Sequence, residues 1–138
     1  MLTETVRQVL SEDGDLLDLL GVDSGDVAPI RAGYLITDIP PQVIVIEMVF
    51  GRTEQLGYEA GEIRIEIYVK EKHISEPLAQ VKALVERINE ILDLKGSQLN
   101  DEYTQTIYRL RKTGTTFSYD QDMHAHVASI DYEFYCTR

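Results

Sequence analysis

The chain contains no tryptophan, four prolines and a single cysteine, Cys136, in 138 residues. One cysteine excludes an internal disulfide framework and fits a reducing compartment. At the end of an alternating strand it reads as a small core residue rather than a nucleophile. Long apolar runs are absent too: none approaches the roughly 20 residues of a membrane-spanning helix, and Met1-Leu2-Thr3-Glu4 begins no basic signal sequence. The expectation is a protein made and used without crossing a membrane. Positive charge is scarce, with 13 basic against 24 acidic residues and a net charge of −11. This argues against tight phosphate contact, because nucleic-acid affinity depends on Lys and Arg displacing counterions. Acid gathers at Asp13, Asp15, Asp18, Asp23 and Asp26, and again at Asp101, Glu102, Asp120 and Asp122. Such a distribution serves solubility, or forms a negative wall that a polyanion passes without adhering.

Catalytic signatures are also missing. There is no dinucleotide fingerprint or helical zinc motif, and the glycine pair Gly51 and Gly57 lacks the Lys-Ser/Thr ending of a phosphate loop. Asp120, Asp122, His124 and His126 alternate, so an extended backbone places all four on one side, where carboxylates and imidazoles are plausible metal ligands. The same spacing describes a polar turn leading into a strand. Ser129 and Asp131 lie close by, yet nothing resembles a nucleophile elbow, and strand neighbours at this spacing form no relay. His73 reads as a surface residue at a strand-to-helix turn. A metal-dependent hydrolase using the His124 and His126 region is the minority reading, and the chain is expected to need no cofactor and to be no enzyme.

What the sequence does contain is clear patterning. The length suits one compact domain over residues 1–138. Glu62 to Val69 alternates apolar and polar residues, as a strand with one buried and one wet face does. Ser75-Glu76-Pro77 then opens a helix with apolar positions Leu78, Val81, Leu84, Val85, Ile88, Ile91 and Leu92, ended by Gly96. Upstream, a helix is expected over Thr3 to Glu12 and, after Gly14, a shorter one over Leu16 to Leu20. Ile30 to Thr37 reads as a short strand, and Pro40-Pro41 marks the start of another. In Val43 to Phe50, Ile44, Ile46, Met48 and Phe50 share one face, and Val43, Val45, Glu47 and Val49 the other. Gly51 to Tyr58 is too long for a two-residue hairpin turn and should project as an arm. Ser97 to Tyr103 is a polar connection, and Thr106 to Lys112 and Thr115 to Tyr119 are strands broken by a bulge or bend at Gly114. The last strand, Val127 to Cys136, sets Ala128, Ile130, Tyr132, Phe134 and Cys136 against Ser129, Asp131, Glu133 and Tyr135. The fold class is α+β: a mostly antiparallel, mixed sheet packed against one long helix, with short N-terminal helices.

One long helix covers one sheet face. Val43, Val45 and Val49, with Tyr68 and Tyr135, then form a strip on the second face. Either the N-terminal helices fold over it or another subunit does, tyrosine being favoured at interfaces.

The helix ending in Leu19-Leu20-Gly21, the strand start Pro40-Pro41-Gln42-Val43-Ile44-Val45, the arm, the strand from Glu62 to Val69, the helix from Ser75 to Leu94 and the final alternating strand together resemble the tail terminator, or tail-completion, proteins of long-tailed bacteriophages and prophages. The resemblance spans nearly the whole chain through pattern and order rather than an invariant motif. It implies a structural virion protein that forms a ring, typically a hexamer, on the head-proximal end of the tail tube, ends tube polymerisation and presents a surface to the head-tail connector. Its partners are then copies of itself, the tail tube protein and the connector protein, and DNA passes through the lumen without specific binding. Assembly takes place in the host bacterial cytoplasm. A neck (head-tail joining) or minor capsid protein is the alternative from the same setting. The expected contacts, with a neighbour or the tube, are Arg52, Glu54, Gln55, Leu56 and Tyr58 of the arm, with Val43, Val45, Tyr68 and Tyr135 on the sheet.

Overall fold

A computed structural model describes residues 2–23, 25–33, 40–54, 57–96 and 106–137. The described residues form helices α1 (Leu2–Ser11), α2 (Gly14–Leu20) and α3 (Pro77–Leu92), and strands β1 (Ile30–Ala32), β2 (Gln42–Thr53), β3 (Tyr58–Lys70), β4 (Ile107–Asp120) and β5 (Ala125–Thr137). The strands make one mixed sheet in the order β1-β2-β3-β5-β4, parallel only where β1 meets β2. The α+β architecture expected from the alternation is the one observed.

Register turns the alternating sequences into continuous rows. Ile44, Ile67 and Ala128 stand side by side across β2, β3 and β5, as do Ile46, Ile65 and Ile130, then Met48, Ile63 and Tyr132. Val81, Leu84, Val85, Ile88 and Leu92 of α3 are buried in the same core. Leu78, on the same periodicity in the first turn of α3, stays 44% exposed. The Tyr132 hydroxyl, carried into this core by β5, donates to Asn89 Oδ1 on α3. Burial raises the Tyr132 pKa, so the ring stays neutral and the polar tip is satisfied where it is dry.

The N-terminal helices join this face and not the opposite one. Leu2, Val6 and Leu10 of α1 and Leu16 and Leu20 of α2 enter the core cluster with Ile44 and Ile46, from which Val43 and Val45 are absent. Of the two covers considered for the second face, the N-terminal helices are therefore excluded. Their joint is held by Asp13, which caps α2 by accepting from Leu16 N–H at 2.9 Å. Both oxygens of the same carboxylate also accept from Arg87 of α3, at 2.9 and 2.7 Å. Gly21, in the left-handed region at φ 68°, ends α2, a conformation that glycine adopts without a Cβ penalty.

Several boundaries differ from expectation. The two ends of the expected arm are strand: β2 runs to Thr53 and β3 begins at Tyr58, paired through Gly51↔Gly61, Arg52↔Ala60 and Thr53↔Glu59. Two-stranded pairing satisfies backbone groups that a mobile loop leaves to water. The strand expected over Ile30 to Thr37 is seen as Ile30–Ala32, its remainder and the connection at Ser97 to Tyr103 lying outside the described residues. Helix α3 begins at Pro77 with no side-chain cap from its neighbour. It ends before Gly96, because Leu94 itself takes the left-handed conformation, at φ 60°. The bulge expected near Gly114 is present, between Lys112 and Gly114.

A second bulge, between Met48 and Phe50, reverses the phase of β2. A one-residue shift moves every later side chain to the other face, so Phe50 leaves the helix-covered side expected for it and pairs with Glu62. Gly61 permits the close approach: a Cβ there would lie 2.1 Å from the Phe50 carbonyl oxygen and 2.9 Å from Gly51 Cα. Gly61→Ala is therefore expected to cost about 2–3 kcal/mol, read as a lowered denaturant midpoint. Gly114→Ala, whose Cβ would meet nothing within 4 Å, serves as the control that should cost little.

Arg87 holds the Asp13 carboxyl below its ordinary range, with the Leu16 amide assisting against burial. A depressed carboxyl contributes stability in full above the unfolded pKa, near 4, and loses it as pH falls through the folded value. Arg87→Met is expected to cost about 1–2 kcal/mol at pH 7. Chemical denaturation at pH 7 and pH 2.5 should show that difference shrinking in acid.

Candidate functional site

No described helix lies on the second face of the sheet, and its surface is more polar than its valines suggest. Val43 and Val127 flank Tyr68 from the two neighbouring strands. They are buried at 0% and 7% exposure, as is Val45 at 3%, so they form a small floor within the chain and not an exposed strip. The row above them is ionic. Arg64 Nε donates to Asp131 Oδ1 at 2.8 Å, with Glu47 opposite Arg64 on β2. Arg111 approaches Glu133 at 2.8 Å and Arg109 the same oxygen at 3.8 Å. Tyr68 donates its hydroxyl to Glu66 Oε2, and its pKa is raised by burial and by that carboxylate. Glu47 is pushed above the usual carboxyl range, first by desolvation and then by the adjoining Glu66, with Arg64 opposing.

At the arm end the face changes character. Tyr58 and Tyr135 stack in parallel, centroids 5.7 Å apart, and Tyr108 tilts against both at 6.0 and 5.9 Å. They border an open groove of about 730 Å³ lined by Phe50, Arg52, Glu54, Glu62, Arg109 and Glu133 among others. Arg52 Nε donates to Glu54 Oε1 at 2.7 Å. Two of the sheet's three register shifts shape this groove: the Met48/Phe50 bulge delivers Phe50 to it, and the shift between Ile107 and Arg109 turns Tyr108 onto it. Aromatic rings interleaved with five charged side chains suit recognition by contact, and among the described residues no nucleophile paired to a base lines it.

Of the expected contact residues, Arg52, Glu54 and Tyr135 line this groove and Tyr58 stacks on Tyr135 beside it. Tyr68 lies at the far end of the face beside Val43, and both Val43 and Val45 are covered. Gln55 and Leu56 lie outside the described residues. Phe50, Tyr108 and Arg109 were not anticipated. The register shifts that aim Phe50 and Tyr108 have no signature in composition.

The alternating Asp120, Asp122, His124 and His126 do not share a side. The chain turns over 121–124, Asp120 Oδ1 accepts from Met123 N–H at 3.0 Å, and His124 takes φ 50°. Among the described residues no three His, Cys, Asp or Glu side chains are grouped as metal ligands. His126 packs edge-on to Tyr119 at 5.1 Å, paired with Val69 on the helix-covered side. Ser129 and Asp131 point the other way, so strand geometry separates the residues a relay needs. Cys136 is a buried thiol, His73 is exposed in the turn before α3, and no described helix is long and apolar enough to cross a membrane.

No family model matches the chain, and no curated protein matches it in sequence. Among solved structures, a chain from "Virion of native gene transfer agent (GTA) particle" superposes with a TM-score of 0.71 at 10% identity, over 99% of this chain and 95% of that chain. The two share a fold along their whole lengths.

The facing carboxylates make a specific prediction. A raised carboxyl means that the folded chain holds its proton more tightly than the unfolded one, so stability declines as pH rises from the unfolded value through the folded one. Glu47→Gln is therefore expected to stabilise the protein by about 0.5 kcal/mol at pH 7. The gain should vanish below about pH 4, as thermal melts at the two pH values will show.

Proposed function

We propose that this chain is a structural component of a phage-type virion or gene transfer agent particle, and that it acts as a ring on the head-proximal end of the tail tube. The observation that carries the reading is the shared fold, end to end, with a chain of the gene transfer agent virion. The resemblance in element order to tail terminator proteins points the same way. The site chemistry agrees: a ridge of ion pairs and a tyrosine-bordered groove are suited to holding a protein surface, and the histidines are turned away from Ser129 and Asp131.

In this role the ring, taken as a hexamer, stops tube polymerisation and offers its other side to the head-tail connector. Six copies at −11 each surround the DNA path with negative charge, which discourages phosphate from adhering during ejection. The arm pairing Arg52 with Ala60 and Thr53 with Glu59 is the part that reaches the tube or a neighbour, since projecting elements on a rigid sheet commonly bind. A neck or minor capsid protein is the second reading, favoured by the same shared fold because a virion likeness names no station within the particle.

Deleting Arg52 to Leu56 joins Gly51 to Gly61 by a short turn of a length hairpins accept. The variant is expected to remain a folded monomer, by circular dichroism, and to lose ring formation or capping, seen as overlong tubes by electron microscopy. Tubes of normal length would remove the arm from the account, and tubes capped to normal length in the complete absence of the protein would favour the neck or capsid reading.

A further inference from the structure

We propose that copies of this chain associate head to tail through the two edges of the sheet, the basic outer edge of β4 meeting the acidic segment that leads into β1 on the next copy. The proposal rests on the ring reading above and specifies the contact that makes the ring.

The two edges are unequal. Among the described residues β1 at one end has 3 residues, while β4 at the other has 14 and no strand on its outer side. Part of the β4 edge is closed by the segment after α3: Leu94 N–H donates to Leu110 O at 2.9 Å, and Lys112 N–H donates to Asp93 Oδ1 at 2.8 Å. Beyond Lys112 no described strand runs alongside. Natural sheets seldom leave a long edge bare, because its backbone groups pair with any strand presented to them. Here the strand also carries exposed apolar side chains, Tyr108 at 55%, Phe117 at 47% and Tyr119 at 41%.

Charge names the occupant. Arg109, Arg111 and Lys112 are all exposed on β4, on the stretch that the segment after α3 adjoins and next to the bare one, a concentration of cations in a chain of net charge −11. Glu133 takes up part of the charge of the two arginines. At the opposite end, Asp18 of α2 and Asp23 and Asp26 of the stretch between α2 and β1 are exposed, with Arg31 of β1 the cation nearest the last two in sequence. Val27 beside them is 95% exposed, an apolar residue on the acidic side to match the aromatics on the basic side. Four strand spacings of about 4.8 Å set these edges roughly 19 Å apart, so they can meet only between copies. A contact between two different patches is heterologous, and repeated by rotation it closes into a ring.

Charge exchange tests this contact. One variant reverses the β4 edge (Arg109→Glu, Arg111→Glu, Lys112→Glu), and another reverses the acidic side (Asp18→Lys, Asp23→Lys, Asp26→Lys). Each alone should self-associate about tenfold more weakly than the unaltered chain in sedimentation or light scattering, while an equimolar mixture recovers assembly, because each reversed edge then finds its complement. Lys112→Glu with Phe117→Glu leaves the Glu133 ion pairs in place and keeps the test valid should the triple β4 variant misfold. Undiminished assembly by both reversed variants overturns the edge contact and leaves the ring reading standing. An unaltered chain that stays monomeric at every concentration, with and without tubes, overturns both. Retention of duplex DNA by the unaltered chain at physiological salt, lost on reversing β4, would make the basic edge a phosphate-binding strip and also overturn the proposal.

Discussion

The constraint on which the structure depends is that five strands have two faces and the apolar side chains of the helices are all committed to one. Ile44, Ile46, Ile63, Ile65, Ile67 and Ile130 form the floor, and α3, α2 and α1 are laid side by side upon it. Burying such side chains contributes about 1.5–3 kcal/mol each against leaving them wet, more than any ion pair on the surface supplies. The polar contacts on this side arrange the layers: Asn89 receives the Tyr132 hydroxyl, Asp13 ties α2 to Arg87 of α3, and Gln80 donates to Leu19 O at 2.6 Å and to Gln42 Oε1 at 2.8 Å.

With the helices spent on one side, the other must be stable wet. It is built from alternating charge across strands, Glu47 by Arg64 by Asp131 and Arg111 by Glu133, with valines sealed beneath Tyr68. Such rows add little stability because water screens them. Their consequence is directional: the face resists random apolar association while the groove at the arm end and the bare edge of β4 retain contact surface.

Much of this was legible in local pattern. The period of two in Glu62 to Val69 and in Val127 to Cys136, and the helical period in Val81 to Leu92, follow from side-chain direction in strands and helices. They identify the same residues that are buried. Phe50 was misplaced because a bulge depends on two strands at once: Gly61, on the partner strand, allows the backbone of β2 to come close enough to slip. Asp120 to His126 alternates as an extended row of ligands would, but the polar turn that the same spacing describes is the one observed, since Asp120 accepts from the Met123 amide. The arm, read as a loop, is paired strand at its two ends, Gly51 to Thr53 and Tyr58, because residues with weak strand preference still pair when the hairpin that carries them is already formed.

By itself, then, the sequence determined which residues face inward within each strand and helix and the α+β class, both matters of a period that each element carries alone. The tertiary structure decided what those elements do together: that three helices share one face, that Phe50, Tyr108 and Tyr135 gather at one groove with Tyr58 stacked beside it, and that Arg109, Arg111 and Lys112 stand on the strand at one end of the sheet while Asp23 and Asp26 stand on the segment leading to the strand at the other. These relations depend on strand order and register, which arise from contacts between residues far apart in the chain and so are written in no single stretch of it.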